Sequence, residues 1–338
     1  MNILAVESSC DETAVAVVRD GRSVLSDCIA SQVALHREYG GVVPEIASRK
    51  HIEAIYLLAD EAIAKAGITR EDIDAVAVTY APGLIGAVLV GVNFAKAASL
   101  ALNKPLIPVH HIKGHIAANY LAYPELEPPF LCLVVSGGHT MLVDVKDYTR
   151  MQVLSKTLDD AAGECFDKVA RVLGMPYPGG AALDRYAKQG DENKYALPRS
   201  KPGANPYDMS FSGLKTASLN LINHAQQLGE SLDVEGLCAS FCYAVSDTLI
   251  PRVQLALEQT GYRKLAVAGG VAANSRIRND ILALAQKTGA DVYLPPLHLC
   301  GDNAAMIGSQ AYYEFLAGNL ADMSLNAYAT KSILGEEM

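Results

Sequence analysis

Tryptophan is absent from this 338-residue chain, and phenylalanine occurs only six times. With aromatics at 7% of residues, the sequence advertises no platform on which unpaired bases stack. Positive charge is scarce as well: 28 Lys and Arg stand against 37 Asp and Glu, a formal net charge of −9. That balance excludes a protein that grips nucleic acid over its whole surface and leaves room for local patches. Arg37, Arg49, Lys50 and His51 form one candidate patch, and Lys194, Arg199 and Lys201 another, though such a cluster is more often just a solvated face. The seven cysteines are odd in number, scattered, and include no Cys-x-x-Cys pair, so they read as small buried hydrophobes kept reduced. Glu7, Asp11 and Glu12 stand where a secretory signal would need a basic flank and an apolar stretch. The most apolar helical run, 86–102, is interrupted by Asn93 and Lys96, which argues against a membrane span. The expectation is a cytoplasmic protein with no membrane partner.

What the chain does have is length and turns. At 338 residues it exceeds one ordinary core, so two domains are expected. Three small-residue turns each follow an apolar, strand-like run: Ser8-Ser9-Cys10-Asp11-Glu12-Thr13, Ser136-Gly137-Gly138-His139-Thr140 and Gly269-Gly270-Val271-Ala272-Ala273-Asn274. The first two are entered and left by apolar runs, the pattern of a hairpin whose tip offers backbone N–H groups to a phosphate. Two such tips suggest a duplicated, two-lobed nucleotide-binding α/β fold.

The order of elements supports duplication. Residues 1–30 read as hairpin strands with a turn at Asp20-Gly21. Pro44–Lys65 reads as a helix, with Ile46, Ile52, Ile55, Leu58 and Ala62 near helical spacing. A strand at 75–79, a small-residue helix at 87–102 and a strand at 105–109 follow. From Phe130 the order begins again: hairpin strands to Val153, a helix near 159–173, later helices, and a strand at 264–268. Glu125–Pro129 is a proline-bearing connector, and Pro198–Ser212 a long loop inside the second half. Val234–Leu257 is apolar enough to serve as an interface helix or simply as core.

Several constellations carry chemistry. His111-Ile112-Lys113-Gly114-His115 spaces two imidazoles four apart, on one face of a helix and close enough to share a metal. Asp302, just before an apparent helix at 304–316, is the candidate third ligand. Two histidines and one carboxylate leave open positions, as in non-haem iron or catalytic zinc sites. An ordinary histidine pair is the alternative, and His110 replaces His111 if the helix starts later. Ile112 stands where a zinc protease helix needs glutamate, which argues against a protease. Asp11 and Glu12 at the first tip would repel phosphate directly, so they read as groups acting through a cation or as a base. Asp167 and Asp184 are candidates for ribose hydroxyls, and Asn274 for a side-chain amide beside a nucleotide. The 269–274 turn is not a G-x-G-x-x-G fingerprint and has no Walker lysine.

Val6-Glu7-Ser8-Ser9-Cys10-Asp11-Glu12-Thr13, Tyr39-Gly40-Gly41-Val42-Val43-Pro44-Glu45, Pro82-Gly83-Leu84, His111-Ile112-Lys113-Gly114-His115, Val135-Ser136-Gly137-Gly138-His139-Thr140, Ser210-Phe211-Ser212-Gly213-Leu214-Lys215-Thr216 and Ala268-Gly269-Gly270-Val271-Ala272-Ala273-Asn274 together resemble one family. It is the universal tRNA threonylcarbamoyltransferase family, formerly described as O-sialoglycoprotein endopeptidase, and the resemblance to its bacterial form runs nearly end to end. The resemblance implies an actin/Hsp70/sugar-kinase fold: two related RNase H-like lobes around a nucleotide cleft. The lobes would comprise 1–108 with about 300–338, and 109–299. It implies transfer of L-threonylcarbamoyl from L-threonylcarbamoyl-adenylate to N6 of the adenosine 3′ of the anticodon, in tRNAs reading A-starting codons, with release of AMP. The family's metal ligands fall on His111, His115 and Asp302, with iron(II) favoured and zinc the alternative. Its substrate contacts fall on Val134, Val135, Ser136, Gly137, Gly138, Asp167, Gly180, Asp184 and Asn274, and its active acidic turn on Asp11 and Glu12. The implied partners are tRNA, a smaller inactive paralogue and a small P-loop ATPase. The rival readings are an ATP-dependent small-molecule kinase and a conformational ATPase of the same fold. Composition alone stops at a two-lobed nucleotide-binding α/β protein.

Overall fold

The computed structural model describes residues 1–201 and 203–333. Pro202 of the long loop and residues 334–338 of the expected first lobe lie outside the described residues. The elements run β1 (Asn2–Glu7), β2 (Glu12–Arg19), β3 (Ser23–Ser31), α1 (Val33–Glu38), α2 (Pro44–Lys65), β4 (Ala75–Ala81), α3 (Ile85–Leu102), β5 (Leu106–His110) and α4 (His111–Ala122). They continue with β6 (Phe130–Val135), β7 (Thr140–Val145), β8 (Met151–Lys156), α5 (Ala162–Val172), α6 (Gly179–Ala187), α7 (Ser212–Leu228) and α8 (Val234–Thr260). The last are β9 (Lys264–Ala268), α9 (Ser275–Thr288), β10 (Asp291–Tyr293) and α10 (Ala304–Leu316).

Local chemistry explains the boundaries. Asp20 and Gly21, at φ +51° and +68°, reverse the chain between β2 and β3, the left-handed pair that a tight hairpin requires. In α2, Pro44 opens the helix and Lys65 lies in its last turn, each at the end it suits. Asn103 closes α3 in the left-handed conformation at φ +51°.

The chain forms two compact units, each built on a five-stranded sheet. The first comprises Met1–Pro128, Val145–Gln152 and, among the described residues, 295–333. Its strand order is β3-β2-β1-β4-β5, with β1 antiparallel to β2 and parallel to β4. Strand alternation divides its core into two layers. Leu4, Val6, Val15 and Val17 face Ile55 and Leu58 of α2 and Val88 and Val92 of α3. Ile3, Ala5, Ala14, Ala16 and Val18 face Ala304, Ile307 and Ala311 of α10 and Ala118 of α4. The second layer is alanine-rich, so α10 lies close: a Cβ at Gly308 would meet Val18 Cγ2 at 2.6 Å. α3 is long and apolar enough to cross a membrane by length and composition alone, and its Ala87, Val88, Gly91, Val92 and Ala95 are buried in this unit.

The expected lobe boundary at 108 does not fall where the contacts divide. α4 belongs to the first unit because it packs against α10 and β5. Residues 145–152 join the same unit through Tyr148, whose ring stacks on Tyr313 at 3.8 Å and whose hydroxyl accepts from Arg22 at 3.0 Å.

The second unit comprises Pro129–Asp144 and Val153–Leu294. Its order is β10-β9-β6-β7-β8, with β9 parallel to both β6 and β10. Counted from each unit's first strand, both sheets run 3-2-1-4-5, so the duplication expected from element order is present in the topology. α8 buries Leu237, Phe241, Val245, Leu249 and Val253 and is core.

Asp27 on β3 accepts hydrogen bonds from the Ala304 and Ala305 amides at the start of α10. Its Oδ1 is buried with no hydrogen-bond partner among the described residues. Burial raises its carboxyl to about 6, despite the two amides and the charge of His298. An unfolded aspartate titrates near ~4, so the folded chain holds the extra proton between ~4 and about 6. Stability from this group therefore falls as pH rises through that window, by roughly 2–3 kcal/mol in all. Urea melts from pH 4 to 7 are expected to show this slope, and Asp27→Asn to flatten it.

Candidate metal centre

The parallel strands β1, β4 and β5 end together and deliver the site. β1 ends on Glu7, Val6 pairs with Val78 ahead of Thr79, and His110 closes β5. α4 starts immediately at His111, with His110 as its N-cap residue, its Nδ1 accepting from the Ile112 amide at 3.3 Å. His110 Nε2 lies 3.1 Å from the Lys331 carbonyl. The ambiguity between His110 and His111 is thereby resolved in favour of His111.

His111 and His115 lie one turn apart on α4, ring centroids 4.6 Å apart, and both are buried. Asp302 Oδ1 lies 3.6 Å from His111 Nε2 and 3.2 Å from His115 Nε2. One ligand atom from each residue falls within 4.8 Å of the others. Neither ring nitrogen of His115 has a hydrogen-bond partner among the described residues, although both are buried. A buried imidazole left this way is costly unless something else meets its lone pair. The donor set, two imidazoles and a carboxylate, suits a divalent transition metal.

Glu7 belongs to the Val6–Thr13 motif but is not among the expected site residues. It is fully buried. Its Oε2 accepts from His111 Nδ1 at 3.0 Å and from the Thr79 hydroxyl at 2.5 Å, and its Oε1 from the Ser9 amide at 2.5 Å. This fixes the His111 tautomer with Nδ1 protonated, leaving Nε2 facing Asp302. Burial works against the charged ring, but the Glu7 and Asp302 carboxylates outweigh it and raise His111 to about 9. Positive charge is thus favoured at this point, a condition that a bound cation meets. A parallel-strand terminus with a buried acid was the available signal for Glu7.

Asp11 and Glu12 lie in the turn between β1 and β2 of the same unit, and Ser31 donates to Glu12 Oε1 at 2.8 Å. Burial, then the neighbouring Asp11 and Asp302 charges, pushes Glu12 up to about 9. A cavity of about 450 Å³ in this unit is lined by Tyr80, His110, Lys113 and Glu314 and not by the three clustered residues.

The remaining expected residues are in the second unit. Val134 and Val135 end β6, and Ser136–Gly138 form the turn to β7, closed by the Ser136 amide donating to the His139 carbonyl at 2.8 Å. Gly163 and Gly269 let neighbouring backbone reach this turn: a Cβ would meet Ser136 O at 2.4 Å and Val135 O at 2.5 Å respectively. Gly180 sits in the first turn of α6. The polar candidates are engaged within the fold. Asp167 Oδ1 accepts from the Gly179 amide at 2.7 Å, and Asp184 Oδ1 from the Ser275 amide and hydroxyl at 3.0 and 2.7 Å. Asn274 caps α9, accepting from the Ile277 amide at 3.1 Å, and its amide nitrogen points to Cys242 Sγ at 3.7 Å.

The duplicated sheets define an α/β protein of the actin/Hsp70/sugar-kinase class. Solved structures agree on the fold. T. kodakarensis HypF superposes at TM-score 0.63 and 16% identity, covering 96% of this chain and 49% of that one. Component A of the (R)-2-hydroxyglutaryl-CoA dehydratase of Acidaminococcus fermentans superposes at 0.54 and 13% identity, covering 93% and 98%. Sequence comparison narrows the class. The tRNA N6-adenosine threonylcarbamoyltransferase family model matches residues 23–309. The enzyme of that name from Moorella thermoacetica is 53% identical over 326 residues, 96% of this chain and 95% of that one. Its namesake from Clostridium perfringens strain 13 is 52% identical over 325 residues, 96% of each. The chain belongs to the tRNA N6-adenosine threonylcarbamoyltransferase family, a family of transferases.

Glu7→Gln replaces an acceptor by an amide N–H₂ among the donors of Ser9, Thr79 and His111. It is expected to weaken divalent-metal binding by about 10–100-fold in calorimetric titration of the metal-stripped protein. Unchanged affinity would remove the orienting role given to Glu7.

Proposed function

We propose that this chain transfers the L-threonylcarbamoyl group from L-threonylcarbamoyl-adenylate to the N6 amine of the adenosine 3′ of the anticodon in tRNAs reading A-starting codons, releasing AMP. The observation that carries the reading is the His111–His115–Asp302 cluster, with a buried His115 ring whose nitrogens make no hydrogen bond among the described residues, in a chain that matches the family over nearly all its length.

The donor is a mixed carbamoyl–phosphate anhydride and brings its own leaving group. The protein is left to position the amine, hold the donor and take a proton. His111, His115 and Asp302 would hold one divalent cation, iron(II) in preference to zinc. When bound, the cation supplies Lewis-acid polarisation of a donor oxygen. Glu7 orients the His111 ring. In the second unit, Val134–Gly138 offer backbone groups to the donor, and Gly180, Asp167, Asp184 and Asn274 frame its nucleoside. Asp167, Asp184 and Asn274 do so while serving as caps and ties, which holds each in one rotamer. Of the acidic pair, Glu12 is the one whose carboxyl is pushed up, by burial first and then by the Asp11 and Asp302 charges, which favours its protonated form. Asp11 is then the group that receives the proton from the amine, with Glu12 as its hydrogen-bonding neighbour.

The net charge of −9 calls for help in holding tRNA. Lys50 is paired with Glu53 at 2.6 Å and Arg199 with Asp247 at 2.5 Å, so part of each basic patch is already neutralised. We assign part of the RNA surface to partners, a smaller inactive paralogue and a small P-loop ATPase. The exposed Ile52, Tyr56 and Leu57 of α2 and Ile85, Leu89 and Leu100 of α3 offer an apolar face for such a protein. The assembly would work in the cytoplasm.

The test is a transfer assay with the purified chain, both partners, threonylcarbamoyl-adenylate and unmodified tRNA, read by mass spectrometry of the nucleosides. Product is expected, lost with chelator and restored by added metal. His111→Ala and His115→Ala are expected to lower the rate on the order of 10²-fold or more. Asp11→Asn is expected to lose far more than Glu12→Gln. No product, together with ATP turnover by this chain alone, would favour a kinase or conformational ATPase.

A further inference from the structure

His51 follows Arg49 and Lys50 in sequence and reads there as part of a basic surface patch. In the structure it is fully buried on α2, beneath the Cys10–Thr13 turn. Its Nε2 lies 2.9 Å from the Cys10 carbonyl, which only accepts, so Nε2–H donates. Nδ1 is then the acceptor of a neutral ring and takes the Thr13 hydroxyl proton at 2.7 Å. Gln32 approaches the same nitrogen at 3.5 Å, and its backbone amide donates to the Asp11 carbonyl at 2.9 Å. Gln32 Oε1 accepts from His36 Nε2 at 3.2 Å, and His36 Nδ1 accepts from the Val43 amide at 3.3 Å. Every link lies within the first unit. Burial keeps the His51 ring below its ordinary titration range, against the opposing pull of the Cys10 carbonyl and of the Glu7 and Asp11 carboxylates. A neutral, doubly hydrogen-bonded imidazole under a turn is a brace rather than a surface charge.

We infer that His51 is a positioning residue for the Asp11–Glu12 carboxyl pair, fixing the Cys10 carbonyl and Thr13 on either side of it and so setting where the two carboxyls project. The catalytic half of this statement rests on the transferase reading above; the structural half does not. Cys10 separates the two, because among the described residues it is the one cysteine that is not buried. Its alkylation rate reports the order of the turn without reference to activity.

The experiment uses the full chain, alone for iodoacetamide labelling and with its partners for turnover. His51→Gln keeps an N–H donor near the position of Nε2; His51→Asn is too short to reach the Cys10 carbonyl. His51→Asn and His51→Ala are expected to raise Cys10 labelling and to lower kcat, each by about tenfold or more, with KM for the adenylate within about twofold. His51→Gln is expected to return both close to wild type. Labelling and kcat at wild-type levels in His51→Asn would overturn the inference. So would equal losses in His51→Gln and His51→Asn. If His51→Ala does not fold, Thr13→Val keeps the ring and removes one of its hydrogen bonds. A several-fold rise in labelling there supports the brace, and no rise contradicts it. Labelling as expected across the variants, with no product from the wild-type chain, removes the transferase reading and leaves the brace standing. Product formation with labelling indifferent to position 51 does the reverse.

Discussion

The hydrogen bond from His111 to Glu7 is the contact on which the rest of the first unit's chemistry depends. A carboxylate at 0% exposure survives only where every oxygen is met, and Glu7 is met by Ser9, Thr79 and His111. Those three partners come from the turn after β1, from β4 and from the start of α4. They converge because β1, β4 and β5 are parallel neighbours, β1 and β4 in register and β4 bulging by one residue between Thr79 and Ala81 against β5, so their carboxyl ends lie side by side. Open α/β sheets carry their ligand sites at such ends for the same reason. The alanine-lined face of the sheet then lets α10 pack closely, which brings Asp302, two residues before it, to the two imidazoles.

Much of this was legible in the sequence. The strand–turn–strand units at residues 1–30 and from Phe130 are marked by apolar runs broken at small-residue turns, the first also by the left-handed pair Asp20-Gly21, and α2 begins and ends at the residues its periodicity and end chemistry indicate. The His-x-x-x-His spacing needs only helical geometry to place both rings on one face. What was not legible depends on tertiary contact. Glu7 reads as the end of an apolar strand, and only the pairing of β1 with β4 sets it beside Thr79 and His111. His51 follows Arg49 and Lys50, so charge patterning assigned it to the surface; only the packing of α2 on β2 turns it inward. Asp167 and Asn274 carry side chains suited to a nucleoside, but their hydrogen bonds to the backbone at helix starts could not be read from composition.

The lobe boundary shows the same limit. A hairpin repeat starting at Phe130 separates the sheets correctly, yet α4 stays with the first because its apolar face needs α10. Residues 145–152, the tip of a second-unit hairpin in sequence order, belong with the first unit through the Arg22–Tyr148–Tyr313 cluster. Aromatic stacking around a guanidinium is a long-range contact with no local signature.

The central claim is that two imidazoles of α4 and the carboxylate before α10 bind one metal ion. X-ray absorption at the metal edge of the metal-loaded protein tests it most directly. The account predicts a first shell holding two imidazole nitrogens and at least one carboxylate oxygen, with one imidazole lost in His115→Ala and the metal still bound. A shell without imidazole, or a spectrum that His115→Ala leaves unchanged, would contradict it.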